Sequence, residues 1–208
     1  MKARRRILVA KEAARLLYYH FVEDYKSAKE VACQNLGIDD LPHNFEVALE
    51  LDELVDDVET SSRGDLLKDM RTKALQIMTE LQSYDTKLIG SVWRGTPRKG
   101  SDIDIIVYSD KTKEIVDFIR KTYADVKTEY PTKTSNGKTQ RFFHIYFTFN
   151  SIYNIEIVVR RLEEKYQREK CEIYGDYMIG LTRRQLSDLL EQDVWKKFRP
   201  EKKIGYNL

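Results

Sequence analysis

The sequence has little cysteine, almost no net charge and no long apolar run. Its two cysteines, Cys33 and Cys171, lie far apart and lack metal-ligand spacing, so we expect free thiols in a reducing compartment. The 36 Lys and Arg residues are nearly balanced by 34 Asp and Glu residues, which leaves a net charge of +2. Such a composition is not typical of a nucleic-acid-binding protein, which needs a surplus of positive charge on one face.

The absence of long apolar runs also argues against secretion and membrane insertion. Residues 1–10 begin with the basic residues of a signal peptide, but the apolar run ends after four residues, at Lys11. A signal peptide needs an apolar core of roughly 7–15 residues, and a membrane span needs about 20. We therefore expect a cytoplasmic protein that makes no use of a membrane.

Hydrophobic residues make up 41% of the 208 positions, which is enough to bury the core of one compact domain, or of a core domain with a helical annex. Apolar residues recur at helical spacing over residues 8–25, from residue 44 to about 55, and over residues 66–81. Turn residues separate these stretches at 37–42 and 61–65. The first part of the chain is therefore predicted to consist of three helices.

After Tyr84 the apolar pattern indicates strands as well as helices. Strands are predicted at 87–90, 102–108, 143–149 and 155–159, and helices at 112–123, 161–171 and 181–197. Asn136-Gly137, between residues 126–130 and 140–149, predicts a β-hairpin. This order predicts an α+β fold, close to α/β, in which helices pack on a mixed β-sheet core. The predicted divisions are an N-terminal helical region (1–62), a core (63–180) and a C-terminal helix and tail (181–208).

The stretch that follows the first predicted strand has the composition of a phosphate-binding loop. Gly90 would let a phosphate approach the backbone, and Ser91 would add a hydroxyl where a helix begins. Basic side chains follow within ten residues and would supply positive charge. The candidate nucleotide-binding residues are Gly90, Ser91, Arg94, Arg98, Lys99 and Ser101.

Three acidic residues lie in predicted apolar strands. Asp102 and Asp104 are two residues apart, so their carboxylates would project from the same face of a strand. Glu156 lies between two isoleucines in a later strand. Like charges so close together repel unless a cation lies between them, and carboxylate oxygens suit Mg²⁺ or Mn²⁺. If the two strands are neighbours, all three acids meet at a site suited to phosphoryl transfer by two metal ions.

A Gly-Ser pair, a spacer of ten residues, Asp-x-Asp and a later strand acid resemble the DNA polymerase β-like nucleotidyltransferase superfamily. The resemblance covers about 70 residues, 87–159. It implies that Gly90 and Ser91 hold the triphosphate of an NTP and that Asp102 and Asp104 bind both metal ions. It further implies that Glu156 completes the second metal site and helps to deprotonate the attacking hydroxyl. The chain is too short for the RNA-binding domains appended to larger members, which argues against processive RNA tailing.

The acceptor and the partners stay open at this point. ATP is the favoured NTP, the acceptor is a small molecule, a protein side chain or an RNA end, and a homodimer is allowed. Helices 1–62 would be a substrate lid, a dimerisation surface or core cover. The main alternative is a non-catalytic NTP-binding regulatory module, for example in a toxin–antitoxin pair. His144, on one face of a predicted strand, is interpreted as structural rather than as a catalytic base.

Overall fold

The computed structural model describes residues 2–135 and 138–200. Contacts divide the chain into two units. The first contains the residues up to Arg63 together with Lys170–Tyr177, and the second contains Gly64–Glu169 and Met178–Arg199. The sequence places its first division one residue earlier, after residue 62. It also treats 181–208 as separate, whereas the contacts group Met178–Arg199 with the second unit.

The first unit is helical. It contains α1 (Lys2–Tyr18), α2 (Tyr25–Leu36) and the first part of α3 (Asn44–Glu80). Small and aliphatic side chains of these helices form one core, in which Val9, Ala13, Ala28, Ala32 and Val47 are fully buried. Lys170–Tyr177 belongs to this unit because the amide of Asn44 donates to the carbonyl of Glu172 and the ring of Phe45 meets that of Tyr174.

The predicted helix over residues 8–25 is wrong in its bounds. Helix α1 ends at Tyr18, and His20 adopts a positive φ of 56°, which is incompatible with a continuing helix. Helix α2 then begins after Asp24, whose carboxylate accepts hydrogen bonds from the backbone N–H groups of Lys26 and Ser27. An aspartate in this position satisfies N–H groups that have no partner within the helix. Helix α2 was not predicted from the sequence.

The second and third predicted helices form one long element, α3, with a kink. Thr60 has φ 44° and ψ −125°, so the break expected at 61–65 is reduced to one non-helical residue. Arg63, after the kink, is buried and donates to the backbone carbonyl and the carboxylate of Asp52, before it. It also pairs with Asp56. These bonds connect residues on the two sides of the kink. The turn-forming residues in the sequence gave no indication of them.

The second unit is built on a six-stranded mixed sheet of order β3-β6-β7-β2-β1-β8. Its strands are β1 (Asp85–Ile89), β2 (Ile103–Tyr108), β3 (Lys127–Glu129), β6 (Phe143–Phe149), β7 (Tyr153–Arg160) and β8 (Leu181–Thr182). Strands β2 and β7 are parallel, and the other neighbours in this sheet are antiparallel. Strands β4 (Thr132–Ser135) and β5 (Lys138–Arg141) form a separate antiparallel pair. Asn136-Gly137, at which the sequence predicts a β-hairpin between residues 126–130 and 140–149, lies outside the described residues.

Helices cover one face of this sheet. They are the second part of α3, the short α4 (Gly90–Arg94), α5 (Thr112–Thr122) and α6 (Arg183–Gln192). Odd-numbered residues of β2, β6 and β7 point into the core between sheet and helices, and Ile103, Ile105, Ile145, Ile155 and Ile157 are buried there. The even-numbered residues, among them Asp104 and Glu156, lie on the opposite face. The predicted α+β fold class is confirmed.

Two of the predicted late helices have different bounds. Residues 161–171 contain only a 3-10 turn at Leu162–Tyr166, none of whose side chains is buried, so no apolar face stabilises a longer helix. In the stretch 181–197, β8 comes first and α6 follows, capped by Thr182 and Gln185. That helix ends at Gln192, because the backbone of Asp193 is non-helical. No helix in the described ranges 2–135 and 138–200 is long and apolar enough to cross a membrane.

Candidate active site

Gly90 lies at the turn from β1 into α4 and touches a candidate carboxylate. Its φ of 68° is in the left-handed region, which favours glycine. A Cβ atom built on Gly90 would lie 1.8 Å from Oδ2 of Asp104 and 2.8 Å from its Cγ. A side chain at residue 90 would therefore force Asp104 to shift. The position of Asp104 and the backbone conformation both favour glycine here.

The strand register brings the second and third predicted acids together. Asp104 of β2 is directly paired with Glu156 of the parallel strand β7 and with Ile89 of β1. Directly paired residues on neighbouring strands lie about 5 Å apart and point to the same face. Asp102, just before β2, has its side chain hydrogen-bonded to Asn154, just before Ile155 on the neighbouring strand. All three predicted acids thus lie on one side of the sheet, at the end of β2 where the strand begins.

The electrostatic environment of this cluster opposes full ionisation. Burial raises the pKa of Asp104 well above its usual range, and the charges of Glu156 and Asp102 raise it further. Burial also raises the pKa of Asp102, as does the charge of Glu156, although the hydrogen bond from Asn154 opposes the shift. Carboxylates in such a position need a shared proton or a cation to offset their repulsion.

Two polar side chains of β6 approach Glu156 from the other side of β7. Nδ1 of His144 lies 2.5 Å from Oε1 of Glu156, and the hydroxyl of Tyr146 lies 3.2 Å from the same nitrogen. Tyr146 is directly paired with Glu156 in the sheet. Burial and a hydrogen bond to Glu156 raise the pKa of Tyr146. His144 was interpreted from the sequence as structural, since a histidine on a strand face is more often structural than catalytic. Strand alternation does not show that this histidine meets Glu156.

The predicted nucleotide-binding residues occupy different surroundings. Ser91 is half-buried in α4, directly after Gly90. Helix α4 has only five residues, so its macrodipole is small and phosphate binding there would depend on individual N–H groups and the Ser91 hydroxyl. The hydroxyl of Ser101 accepts from the backbone N–H of Arg98, which closes the turn before Asp102. Lys99 in that turn is exposed.

Arg94 has a structural role. Its side chain is buried, Nη1 donates to the carbonyl of Phe198 at 3.0 Å, and the guanidinium packs 4.5 Å from the centre of the Trp93 ring. Another buried arginine, Arg71 of α3, was not anticipated from the sequence. It donates to the carbonyls of Val92, Trp93, Val194 and Lys196. The carbonyls of Val92 and Trp93 lie at the end of α4, so two of these bonds hold the segment that follows Gly90.

The donor set suits a hard cation that is completed by a substrate. Within residues 2–135 and 138–200, no three His, Cys, Asp or Glu side chains are arranged to hold a metal ion by themselves. Mg²⁺ is usually held by one or two carboxylates together with substrate phosphates, rather than by a cage of protein ligands. The paired oxygens of Asp104 and Glu156, with Asp102 nearby, match that requirement.

A cavity of about 680 Å³ lies at the opposite end of β2 and does not include these acids. Its lining contains two arginines, Arg160 and Arg161, and two acids, Asp110 and Glu164. The guanidinium of Arg160 is already bound by both carboxylate oxygens of Glu169. The two basic and two acidic side chains of the lining balance in charge, and the Arg160 guanidinium is paired with Glu169. The cavity therefore favours no class of ligand.

Comparison with known proteins gives a family. The profile described as "Domain of unknown function (DUF4269)" matches residues 71–175, slightly more than half of the chain. The chain belongs to the DUF4269 family. The matched residues begin at Arg71 and include the whole candidate site of this DUF4269 protein, from Gly90 to Glu156. The DUF4269 chain has no match among curated proteins.

Some solved structures share a weak likeness with the DUF4269 chain. Terminal uridylyl transferase 4 from Trypanosoma brucei with bound GTP is 15% identical, with a TM-score of 0.30 over 44% of this chain and 29% of its own. A cytoplasmic RNA terminal U-transferase is 19% identical, with a TM-score of 0.29 over 56% and 34%. A nucleotidyltransferase-like protein from Paracoccidioides brasiliensis is 13% identical, with a TM-score of 0.27 over 52% and 58%. The chain spans less than two thirds of each, and likeness at this level leaves the function to be argued from the site.

Proposed function

We propose that this DUF4269 protein is a metal-dependent nucleotidyltransferase. It would transfer an NMP from an NTP to an acceptor hydroxyl and release pyrophosphate. The observation that carries this proposal is the direct pairing of Asp104 with Glu156 on neighbouring strands, with Asp102 two residues earlier and Gly90 packed against the Asp104 carboxylate. Three acids on one sheet face repel one another and lower stability. Beside a Gly-Ser turn, the same arrangement is suited to phosphoryl transfer.

The proposed cofactor is Mg²⁺ or Mn²⁺, held by Asp102, Asp104 and Glu156. The raised pKa of Asp104, which results from burial and from the charges of its neighbours, supports this assignment because a cation would remove that repulsion. When bound, such a metal pair would stabilise the charge on the attacking and leaving oxygens.

The other residues of the site have separable roles in this proposal. The backbone N–H groups after Gly90 and the hydroxyl of Ser91 would bind the phosphates of the NTP, with ATP the favoured substrate. Arg98 and Lys99, in the turn before Asp102, would add positive charge. Arg94 is left out of this set because its guanidinium serves the carbonyl of Phe198 and the Trp93 ring.

The reaction balances without a further reactant. The acceptor oxygen forms a bond to the α-phosphorus, and the bond between that phosphorus and the oxygen that bridges to the β-phosphorus breaks. Pyrophosphate carries away the electron pair of the broken bond. The proton of the acceptor hydroxyl goes to the carboxylate of Glu156, which the register places beside Asp104. Proton transfer to a positioned side chain typically contributes about 10²–10⁴-fold to a rate.

Purified protein should be incubated with each NTP, Mg²⁺ or Mn²⁺, and a mixture of cellular RNA and protein. We expect pyrophosphate release that is lost in Asp102→Asn and in Asp104→Asn. Asp117→Asn, which removes an exposed carboxylate of α5, is the matched control and should keep full activity. Equal activity in all three variants would exclude these acids from the reaction. Binding of NTP without turnover would instead favour the regulatory module.

A further inference from the structure

The strand order places Glu156 between two kinds of neighbour. Strand β7 lies between β2 and β6, so Asp104 flanks Glu156 on one side and Tyr146 flanks it on the other. An acid on one side and two potential hydrogen-bond donors on the other give the Glu156 carboxylate an unequal environment. Its orientation is therefore determined by β6 as well as by whatever binds between the acids.

We propose that His144 is a positioning residue, which holds Glu156 by a hydrogen bond from Nδ1 so that its carboxylate can serve the metal site. This inference rests on the proposed function. It assigns a task to a residue that the candidate motif does not include. Among the described residues, His144 forms no hydrogen bond with Asp102 or Asp104. It therefore acts through Glu156.

The geometry supports a donated hydrogen bond. Nδ1 lies 2.5 Å from Oε1 of Glu156, and the side chains of His144 and Glu156 are 16% and 26% exposed. Hydrogen bonds to ionised groups are short and strong when partly withdrawn from water. In the proposed arrangement Nδ1 of His144 carries the ring proton and donates it to Oε1 of Glu156. The Tyr146 hydroxyl donates to Glu156 as well, which agrees with the raised pKa of that tyrosine.

Without His144, the nearest polar partner for Glu156 on the β2 side is Asp104, with which it shares a hydrogen bond. In that arrangement the Glu156 carboxylate turns towards Asp104 and occupies the space where a cation would bind. A hydrogen-bond partner on the β6 side, 2.5 Å from Oε1, instead holds the carboxylate in a fixed orientation. Partners that orient a metal-binding side chain in this way typically change metal affinity or activity by about 10–100-fold when they are removed.

Three substitutions separate this role from general packing. His144→Leu removes the donor, and His144→Gln moves it one bond further along the side chain. His144→Asn keeps an N–H donor at the position of Nδ1. Thr148→Leu, at an exposed position of the same strand, is the control for a change in β6 itself. Thermal unfolding of each variant shows whether the fold is kept.

The measurements are Mn²⁺ affinity by electron paramagnetic resonance in the presence of a non-hydrolysable NTP analogue, whose phosphates complete the site, and kcat and KM for the NTP at saturating Mn²⁺. We expect His144→Leu and His144→Gln to lower Mn²⁺ affinity and kcat by about 10–100-fold. KM for the NTP should stay unchanged, because no phosphate contact is lost. His144→Asn should recover most of both losses, and Thr148→Leu should match the wild type.

Two results would overturn the inference alone: a His144→Leu variant that matches an active wild type, or an Asn variant as impaired as the Leu and Gln variants. A wild-type protein that neither transfers nucleotide nor binds Mn²⁺ would overturn the proposed function and this inference with it. The wild-type measurement therefore distinguishes the two kinds of failure.

Discussion

Replacement of Gly90 by alanine tests the contact on which the candidate site is built. The new methyl group would lie 1.8 Å from Oδ2 of Asp104, and the residue would have to keep a φ of 68°. Left-handed backbone costs a non-glycine residue about 1–2 kcal/mol. A clash that forces a packed side chain to move costs about 1–3 kcal/mol more. We therefore expect Gly90→Ala to lower the free energy of unfolding by about 2–5 kcal/mol.

Gly100 provides a matched control for the backbone component. Its φ is 82°, and a Cβ built there would meet no atom within 4 Å. Gly100→Ala should therefore lower the free energy of unfolding by only the backbone cost, about 1–2 kcal/mol. Urea denaturation followed by circular dichroism measures both variants under the same conditions.

A double-mutant cycle then isolates the clash. In an Asp104→Ala background the carboxylate is absent, and only Cβ of residue 104, at 3.1 Å, would meet the new methyl group. Gly90→Ala should cost about 1–3 kcal/mol less in that background than in the wild type. If Gly90→Ala cost no more than Gly100→Ala, or if its cost were the same in both backgrounds, the packing of Asp104 against Gly90 would be refuted.

Three other outcomes follow from the second unit. Arg71→Met should lower the free energy of unfolding by about 3–5 kcal/mol, because four carbonyls lose their buried donor. Lys68→Met, at an exposed position of the same helix, should change that free energy little. Urea denaturation compares the two variants. Asp104→Asn should raise that free energy by about 0.5–2 kcal/mol in EDTA while it abolishes transfer, and a loss of stability would contradict the repulsion inferred here. Burial, with a hydrogen bond to Asp69, raises the pKa of Tyr153 to about 12, so the folded state keeps this proton after the unfolded state has lost it. Stability should therefore fall as the pH rises from about 10 through that pKa. The pH dependence of the urea midpoint should show a smaller fall in Tyr153→Phe.

Local patterns in the sequence predicted the elements that carry the site. Two-residue spacing is enough to place Asp102 and Asp104 on one face of a strand, and a Gly-Ser pair after a strand is enough to predict the turn at Gly90. The fold class followed from the change of period after Tyr84. These inferences depend on residues close together in the chain, where backbone geometry leaves few choices.

Long-range register could not be predicted in the same way. The sequence allowed Glu156 to lie beside Asp104 but did not require it, because it does not show that β7 pairs with β2. For the same reason His144 looked like an ordinary strand residue, although it meets Glu156 across a strand pair. Arg71 was overlooked because its four partners are carbonyls, which leave no trace in the side-chain pattern.

Local competition explains the wrong helix boundaries. Residues 8–25 keep a helical apolar period, yet His20 adopts a positive φ and Asp24 caps a new helix. At Thr60 the turn-forming run is overridden, since Arg63 binds Asp52 and Asp56 across the kink. In each case the contacts or backbone conformation of a few residues decide the boundary.

The most direct test of the central claim compares two labels in one reaction. The wild-type protein receives an NTP labelled at either the α- or the γ-phosphate, together with Mg²⁺ and an acceptor mixture. Nucleotidyl transfer predicts that the α-label enters the acceptor and that the γ-label leaves as pyrophosphate, with both events lost in Asp104→Asn. Transfer of the γ-label to the acceptor, or α-label transfer that survives in Asp104→Asn, would contradict the account.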